Sequence, residues 1–468
     1  MSHPSHSIDA TTRLAEACDP ELEFARAREL HDAGSLDEAE QAYGRILAAM
    51  PDHAEALHFQ GLAVHQRGDH ARAIELIRAA IALNGAQFGW YSNLGNVLLL
   101  SGHKDAAAEA YEQAMRLAPE RADVHNNLGV LLGDRGQLEK AESTLRRAVA
   151  LEPDKAEVHA NLGRVLLRLA RNDEARDCLD EALRLNPELT AARPMLGLVY
   201  RRLGQLDAAA QVYRDWLERV PGDPTALHHL AGCSGEAVPA RAADAYVERT
   251  FNGFADSFDE TLTRLHYRGP AQIAEAVARH LGEPRRALAV LDAGCGTGLC
   301  GPLIAPYARD LAGVDLSQQM LDKARLRQAY DTLTKAELTA FLEGAEPASR
   351  DLVVSADTLI YFGELRAFFR AAAGILRPAG WLIFTVEALT DDGRAGFRLH
   401  PHGRYSHRES YLRESLAAAG LAVEGLEGVQ LRVEAGKPVE GWVVSCRKEA
   451  PRGSSVGPRR QSRKRSHG

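Results

Sequence analysis

Cysteine is scarce in this chain. Its six cysteines (Cys18, Cys178, Cys233, Cys295, Cys300 and Cys446) fall at no regular spacing and form no C-x-x-C pair. That excludes a disulfide framework and a zinc-ribbon spacing, and it predicts a reduced, cytoplasmic setting. Long apolar runs are missing too: none approaches the ~20 residues that a membrane-spanning helix needs. The opening M-S-H-P-S-H-S-I-D-A has neither the basic start nor the apolar core of a secretory signal. Positive charge is in short supply as well. Residues 1–240 carry 25 Lys+Arg against 36 Asp+Glu, and the remaining 228 carry 31 against 28. A mildly acidic body of this kind argues against a nucleic-acid-binding face.

Small residues are present in quantity, and they are periodic. Glycine recurs at 61, 95, 129, 163 and 197, a step of 34 residues each time. A second series with the same period holds Gly34, Gly68, Gly102, Gly136 and Gly204, with Ala170 in place of one glycine. Alanines at 39, 73, 107, 141, 175 and 209, and prolines at 51, 119, 153, 187 and 221 with Gly85 in the gap, keep the register. Fixed small positions at this period mean paired helices in close contact, closed by a turn. The pattern resembles the tetratricopeptide repeat. Six units fit, 20–53, 54–87, 88–121, 122–155, 156–189 and 190–223, followed by a solvating helix from Pro224 to about Ala231. The residue late in each unit (Tyr43, Ile77, Tyr111, Leu145, Leu179, Tyr213) reads as inter-helix core.

Asn93, Asn127 and Asn161 occupy one phase of the first helix in three successive units. This is similar to the asparagine ladder of the O-linked N-acetylglucosamine transferase solenoid, and the resemblance implies a protein or peptide partner gripped by its main chain. A carboxamide donates and accepts, so it matches a peptide group of any sequence. The competing expectation is that these asparagines cap or bridge neighbouring helices.

The period stops in G-C-S-G-E-A-V-P, which places a linker at 232–239 between a solenoid (20–231) and a second domain (240–449). Residues 1–19 read as a flexible N-terminus and 450–468 as a basic disordered tail. The second domain opens with helices rich in aromatics, Tyr246, Phe251, Phe254, Phe258 and Tyr267, which suit either core or a cover over a pocket. Strands and helices then alternate: L-A-V-L-D ends in Asp292, L-A-G-V-D in Asp315, a weak strand near Glu337, D-L-V-V-S-A-D in Asp357, and W-L-I-F-T-V-E in Glu387. Two closing strands, about 421–432 and 441–446, form an antiparallel pair. Alternation of this kind predicts an α/β doubly wound, Rossmann-like domain, with ligands at the carboxyl ends of the strands.

Two cofactors fit the glycines after Asp292. Gly296-Thr-Gly298-Leu-Cys-Gly301 matches the dinucleotide fingerprint G-x-G-x-x-G, but four residues separate it from the apolar run. L-D-A-G-C-G-T-G anchors instead on Asp292 and Gly294 and closely resembles the first motif of the seven-stranded S-adenosylmethionine-dependent methyltransferases. With the repeats ahead of it, the chain is similar to bacterial predicted methyltransferases carrying tetratricopeptide repeats. The resemblance implies S-adenosyl-L-methionine as cofactor. It puts Gly294, Cys295, Gly296 and Gly298 beneath the methionine portion, with Asp292 ordering that loop. It puts Asp315 and Leu316 at the ribose, Glu337 at the adenine amino group and Asp357 beside the cofactor. It names no acceptor, which leaves an oxygen, a carboxylate, an activated carbon or a small molecule of other kind open. Asp357-Thr-Leu-Ile-Tyr361 lacks the two prolines of base-amine methylating enzymes. Tyr405 and His407 of R-Y-S-H, ahead of a helix, are the expected general-base candidates. His400, His402 and His407 have no companion carboxylate or cysteine spacing, so no metal is expected. The other function classes are a scaffold whose domain binds the cofactor without turnover, and a dinucleotide-dependent oxidoreductase.

Overall fold

A computed structural model describes residues 20–449, so the expectations for 1–19 and 450–468 lie outside the described residues. By compactness the chain divides into two units at Leu203/Gly204.

The first unit is helical throughout, from Pro20–Asp32 to Ala192–Arg202. Each 34-residue step supplies two antiparallel helices, and the glycine series explains how close they come. A Cβ at Gly95 would lie 2.5 Å from the Tyr111 ring, one at Gly129 2.6 Å from Leu145, and one at Gly163 2.7 Å from Leu179. The first helix therefore has no side chain where the large residue of the second inserts, and Tyr111, Leu145 and Leu179 are buried. The other series ends the first helix of each pair: Gly34, Gly68, Gly102 and Gly136 all have positive φ. Ala170 takes the same left-handed turn at φ 59°, which strains a residue with a Cβ. Ala170→Gly is expected to stabilise the first unit by about 0.5–1 kcal/mol, read as a rise in its thermal midpoint. A fall would show that the turn does not limit stability.

The second unit starts with two helices in the solenoid register, Leu206–Arg219 and Pro224–Ser234, and then becomes α/β. The strands are β1 (Leu288–Ala293), β2 (Ala308–Asp315), β3 (Thr332–Lys335), β4 (Arg350–Ser355), β5 (Leu376–Ala388), β6 (Phe397–Leu399), β7 (Tyr405–His407), β8 (Leu421–Glu434) and β9 (Lys437–Lys448). The main sheet runs β3-β2-β1-β4-β5 in parallel, continued by β9 and β8 antiparallel along the body of β5. β7 and β6 pair at the very end of β5 instead.

Both faces of the sheet are buried, as the strands' near-continuous apolar runs require. Val290, Leu352, Val354 and Ile383 face the Gly269–Leu281 helix through Ile273, Ala276 and Val277. Their neighbours Leu291, Val353, Leu382 and Phe384 face Phe368 and Phe369 of the Arg366–Ile375 helix. The period-2 alternation thus feeds two cores at once.

The compact boundary lies ahead of the 232–239 linker, for a reason visible in the packing. His228 Nε2 meets the Gly403 carbonyl oxygen at 2.8 Å, and its ring stacks on Tyr246 at 4.2 Å. Asp223 caps its own helix and pairs with Arg249 at 2.8 Å. The Pro224–Ser234 helix keeps the solenoid's period but is fastened to the sheet domain.

Candidate active site

Apolar β1 stops at Ala293, and the chain must turn without covering the strand end. Gly294, Gly296 and Gly298 have φ of 80°, 53° and 83°. A Cβ on Gly294 would lie 2.1 Å from Thr358 Oγ1, so side chains are barred there by space as well as by conformation. The turn is tied to the next strand. Asp315 Oδ2 accepts from Gly296 N at 2.9 Å, and Oδ1 accepts from Ser317 N at 2.9 Å. Burial pushes the Asp315 carboxyl above its ordinary value, against the pull of these backbone donors.

Beneath the turn, Asp292 accepts from Tyr330 Oη at 2.6 Å. Its carboxyl is pushed up to about 7 by burial, held back by Tyr330 and raised further by Asp315. Glu337 caps the Leu338–Gly344 helix through Thr339 N and Ala340 N at 3.1 and 2.7 Å. A cavity of about 390 Å³ opens over these carboxyl ends. Asp292, Gly294, Cys295, Gly296, Asp315, Leu316, Glu337 and Asp357 line it. Gly298 does not; its missing Cβ makes room for the Tyr330 ring, 2.9 Å away. The aromatic segment is the cover: Tyr246, Phe251, Phe254, Phe258 and Tyr267 all face the same space.

Gly301 discriminates between the two fingerprints. A Cβ there would meet Tyr330 at 2.6 Å, so packing explains this glycine. It begins a helix of one turn, Gly301–Ile304. A turn that short offers little of the N-terminal dipole on which a pyrophosphate rests.

The general-base expectation for Tyr405 and His407 is corrected. Tyr405–His407 is strand β7, and neither the Tyr405 nor the His407 side chain lines the cavity. Tyr405 donates to the Pro239 carbonyl at 2.8 Å. His407 is fully buried, its Nε2 3.2 Å from the Gly363 carbonyl oxygen, and burial lowers its pKa to about 4. A ring with no path to the cavity cannot take a proton from anything bound there. His400 meets Ser406 Oγ at 2.7 Å, and among the described residues no cluster of histidine, cysteine and carboxylate could hold a metal.

A charge cluster at the other end of the cavity was not legible in the motifs. Arg432 is buried, and its guanidinium reaches Asp357 Oδ2 at 2.6 Å, Glu434 Oε1 at 2.6 Å and Glu387. Arg404 holds Glu387 Oε1 at 2.7 Å and Glu434 Oε2 at 2.6 Å. A bulge makes this possible: the β8–β9 register shifts between Gln430 and Arg432, so the consecutive Leu431 and Arg432 are both buried. Burial alone would raise the Glu387 carboxyl, but Arg404 and Arg432 hold it below its ordinary value. Burial does prevail at Asp357, whose carboxyl is raised despite Arg432.

In the first unit, Asn93 Nδ2 lies 3.1 Å from His58 Nε2, and Asn161 Nδ2 donates to Asn126 Oδ1 at 2.8 Å. Both bonds bridge neighbouring repeats. The Asn127 side chain makes no hydrogen bond among the described residues, and the residue is half-buried.

Strand order, glycine turn and terminal acids together define a domain of the methyltransferase class behind a tetratricopeptide array. The comparisons agree. The methyltransferase domain family matches residues 291–384, and the C-terminal domain of cilia and flagella-associated protein 70 matches residues 10–234. The ubiquinone biosynthesis O-methyltransferase of Idiomarina loihiensis is 30% identical over 173 residues, which is 33% of this chain and 68% of that protein. The Bordetella avium protein of the same name is 28% identical over 157 residues, 30% of this chain and 65% of its own length. The chain therefore spans about two thirds of these curated relatives. Among solved structures, MamA of Desulfovibrio magneticus is 24% identical with a TM-score of 0.34, covering 36% of this chain and 96% of that one. The chain belongs to the methyltransferase family, in a form with tetratricopeptide repeats ahead of the domain. Among the described residues no helix is long and apolar enough to cross a membrane.

Proposed function

We propose that the chain is an S-adenosyl-L-methionine-dependent methyltransferase whose repeat array holds a protein partner or protein substrate. The observation that carries the first half is the glycine turn bonded to Asp315 at the mouth of the cavity. The residues suit that cofactor. Turn N–H groups and the small Gly294 and Gly296 leave room for the methionine portion, the Asp315 carboxylate is an acceptor for ribose hydroxyls, and Glu337 is an acceptor near the base. The aromatic cover excludes water and gives a sulfonium π-faces to rest on. The cofactor, when bound, supplies an electrophilic methyl group; the protein's task is to align an acceptor and keep the site dry. The relatives' name, O-methyltransferase, favours oxygen as the acceptor atom. For the second half, a repeat array presents an extended surface for a partner, and Asn127 retains its full hydrogen-bonding capacity.

Titration calorimetry of the full chain with S-adenosylmethionine tests the reading. Saturable binding is expected, with Asp315→Ala weakening it at least tenfold. Absence of heat at millimolar ligand, with the fold intact by circular dichroism, would overturn it. Binding without transfer of labelled methyl into any lysate fraction would favour the scaffold instead.

A further inference from the structure

Sheet order separates the two ends of the cavity. The glycine turn, Asp315 and Glu337 stand over β1, β2 and β3, whereas Asp357 and Glu387 stand at the ends of β4 and β5, on the far side of β1. β4 lies directly beside β1, about 4.8 Å away, and Thr358 Oγ1 donates to the Gly294 carbonyl at 3.0 Å, so the Asp357 end adjoins the glycine turn and extends the cavity beyond it.

Its polar groups are unusual in what they leave unused. Asp357 binds Arg432 through Oδ2 and Thr385 Oγ1 through Oδ1, at 2.6 and 3.1 Å. Each carboxylate oxygen keeps further acceptor capacity, and 14% of the side chain is open to the cavity. Asp357 is also held at φ 53°, a left-handed conformation uncommon outside glycine, though aspartate adopts it more readily than most residues. Arg404 commits Nε and Nη2 to Glu387 and Glu434, and its Nη1 makes no hydrogen bond among the described residues. The hydroxyls of Tyr267 and Tyr361, both lining the cavity, likewise make none among the described residues. Burial raises both phenols, so they stay protonated and able to donate. The Tyr267 hydroxyl is placed by design of the chain: a Cβ on Gly269 would lie 2.3 Å from it. Around these groups the walls are flat. Phe251 meets Tyr361 edge-on at 5.4 Å, and Phe258 meets Phe251 at 6.0 Å.

We propose that this end of the cavity takes a neutral hydroxyl acceptor on a flat apolar frame, and that Asp357 is the base that removes its proton. The inference rests on the methyl-donor reading above. A hydroxyl donates to Asp357 while accepting from Arg404 Nη1 or a tyrosine, and so uses both kinds of group. An anionic acceptor would face three carboxylates (Asp357, Glu387, Glu434) against two guanidiniums. An amine would leave the three donors with little to bind. In the transfer, the acceptor O–H bond breaks and its proton passes to the Asp357 carboxylate. The oxygen lone pair forms the new O–CH₃ bond as the S–CH₃ bond breaks and leaves its electron pair on sulfur. The sulfonium and carboxylate charges are both cancelled, giving a neutral thioether and a carboxylic acid. Arg432 and Thr385 are positioning residues that aim Asp357.

The test uses the full chain and three ring-matched probes, catechol, aniline and benzoate, titrated in the presence of saturating S-adenosylhomocysteine. Catechol is expected to bind more tightly than the other two. Asp357→Asn should leave S-adenosylmethionine affinity within twofold, weaken catechol at least tenfold and slow single-turnover methyl transfer to catechol at least 100-fold. It should also remove the acidic limb of the catechol-binding pH profile. Tyr361→Phe, which keeps the packing, should weaken catechol severalfold, so the proposal does not rest on one variant. Equal catechol binding by Asp357→Asn would overturn it, as would an effect on cofactor affinity alone, or failure of the wild type to bind catechol at millimolar concentration. Loss of S-adenosylmethionine binding by the wild type would instead overturn the methyl-donor reading.

Discussion

Arg432→Met is expected to destabilise the second unit by about 3–5 kcal/mol, the range found when one partner of a buried ion cluster is removed. That is a large share of the roughly 5–15 kcal/mol by which domains are stable. The substitution keeps most of the volume and strands the carboxylates: Asp357 loses its cation, and Glu387 and Glu434 are left to share Arg404. The loss has a pH signature with a definite sign. In the wild type, Glu387 and Glu434 sit below their ordinary value because Arg404 and Arg432 outweigh burial. A depressed carboxyl contributes stability above its unfolded pKa of about 4.3 and loses it as pH falls through the folded value. In the variant, burial dominates and raises the carboxyl. Such a group favours folding at low pH and loses that contribution as pH rises. Asp357 is already raised by burial in the wild type, so its slope has the variant's sign in both proteins. Chemical denaturation at pH 8 and pH 5 should therefore show the deficit narrowing on acidification. An equal deficit at both would mean that Arg432 acts through packing alone.

How much of this was readable in the chain depends on the range of the cause. The repeats were legible because each glycine answers to a partner 16 residues on, Gly95 to Tyr111 and Gly129 to Leu145, and the same contact recurs every 34 residues. The sheet was legible because two-sided burial writes unbroken apolar runs, and four of the five acids near the strand ends, Asp292, Asp315, Glu337 and Asp357, line the cavity. Arg432 was not, since nothing in L-R-V-E announces a bulge: without one, period 2 sends Arg432 outward next to a buried Leu431. R-Y-S-H misled for a related reason. Ahead of a helix it offers two general-base candidates, but β4 stops pairing with β5 at Phe384, and Ser406 and His407 pair further along β5 with Glu387 and Ala388. Asp357, which the family resemblance placed beside the cofactor, is the residue to which the proposal above gives the proton. The asparagine ladder divides: Asn93 and Asn161 bridge repeats, and the Asn127 side chain makes no hydrogen bond among the described residues.

A fragment beginning at Ala240, where the period has stopped, is expected to lose most of its stability and its cavity, whereas one beginning at Gly204 keeps both. The fragments differ by two helices, Leu206–Arg219 and Pro224–Ser234, and it is the second that is fastened to the sheet domain. It contributes the His228 bond to Gly403, the stack on Tyr246 and the Asp223–Arg249 pair. Its Ala231 closes a small core with Leu399 and Tyr405. Its backbone comes so near the His400–Pro401 turn that a Cβ on Gly232 would lie 2.8 Å from the His400 carbonyl oxygen. Deleting it uncovers Tyr246, Leu399 and Tyr405, each worth about 1.5–3 kcal/mol when fully buried, so a loss of about 9 kcal/mol is an upper estimate. The consequence reaches the site because the helix packs against two parts of its lining. Tyr246 belongs to the cover, and the Gly403 turn carries Arg404, which anchors Glu387 and Glu434. Thermal unfolding and calorimetry with S-adenosylmethionine on residues 204–449 and 240–449 separate the cases. Equal stability and equal binding by the two would show that the helix belongs to the solenoid in function as well as in period. A cooperative 204–449 fragment beside a 240–449 fragment that melts early would show that the last repeat helix has become part of the methyltransferase domain.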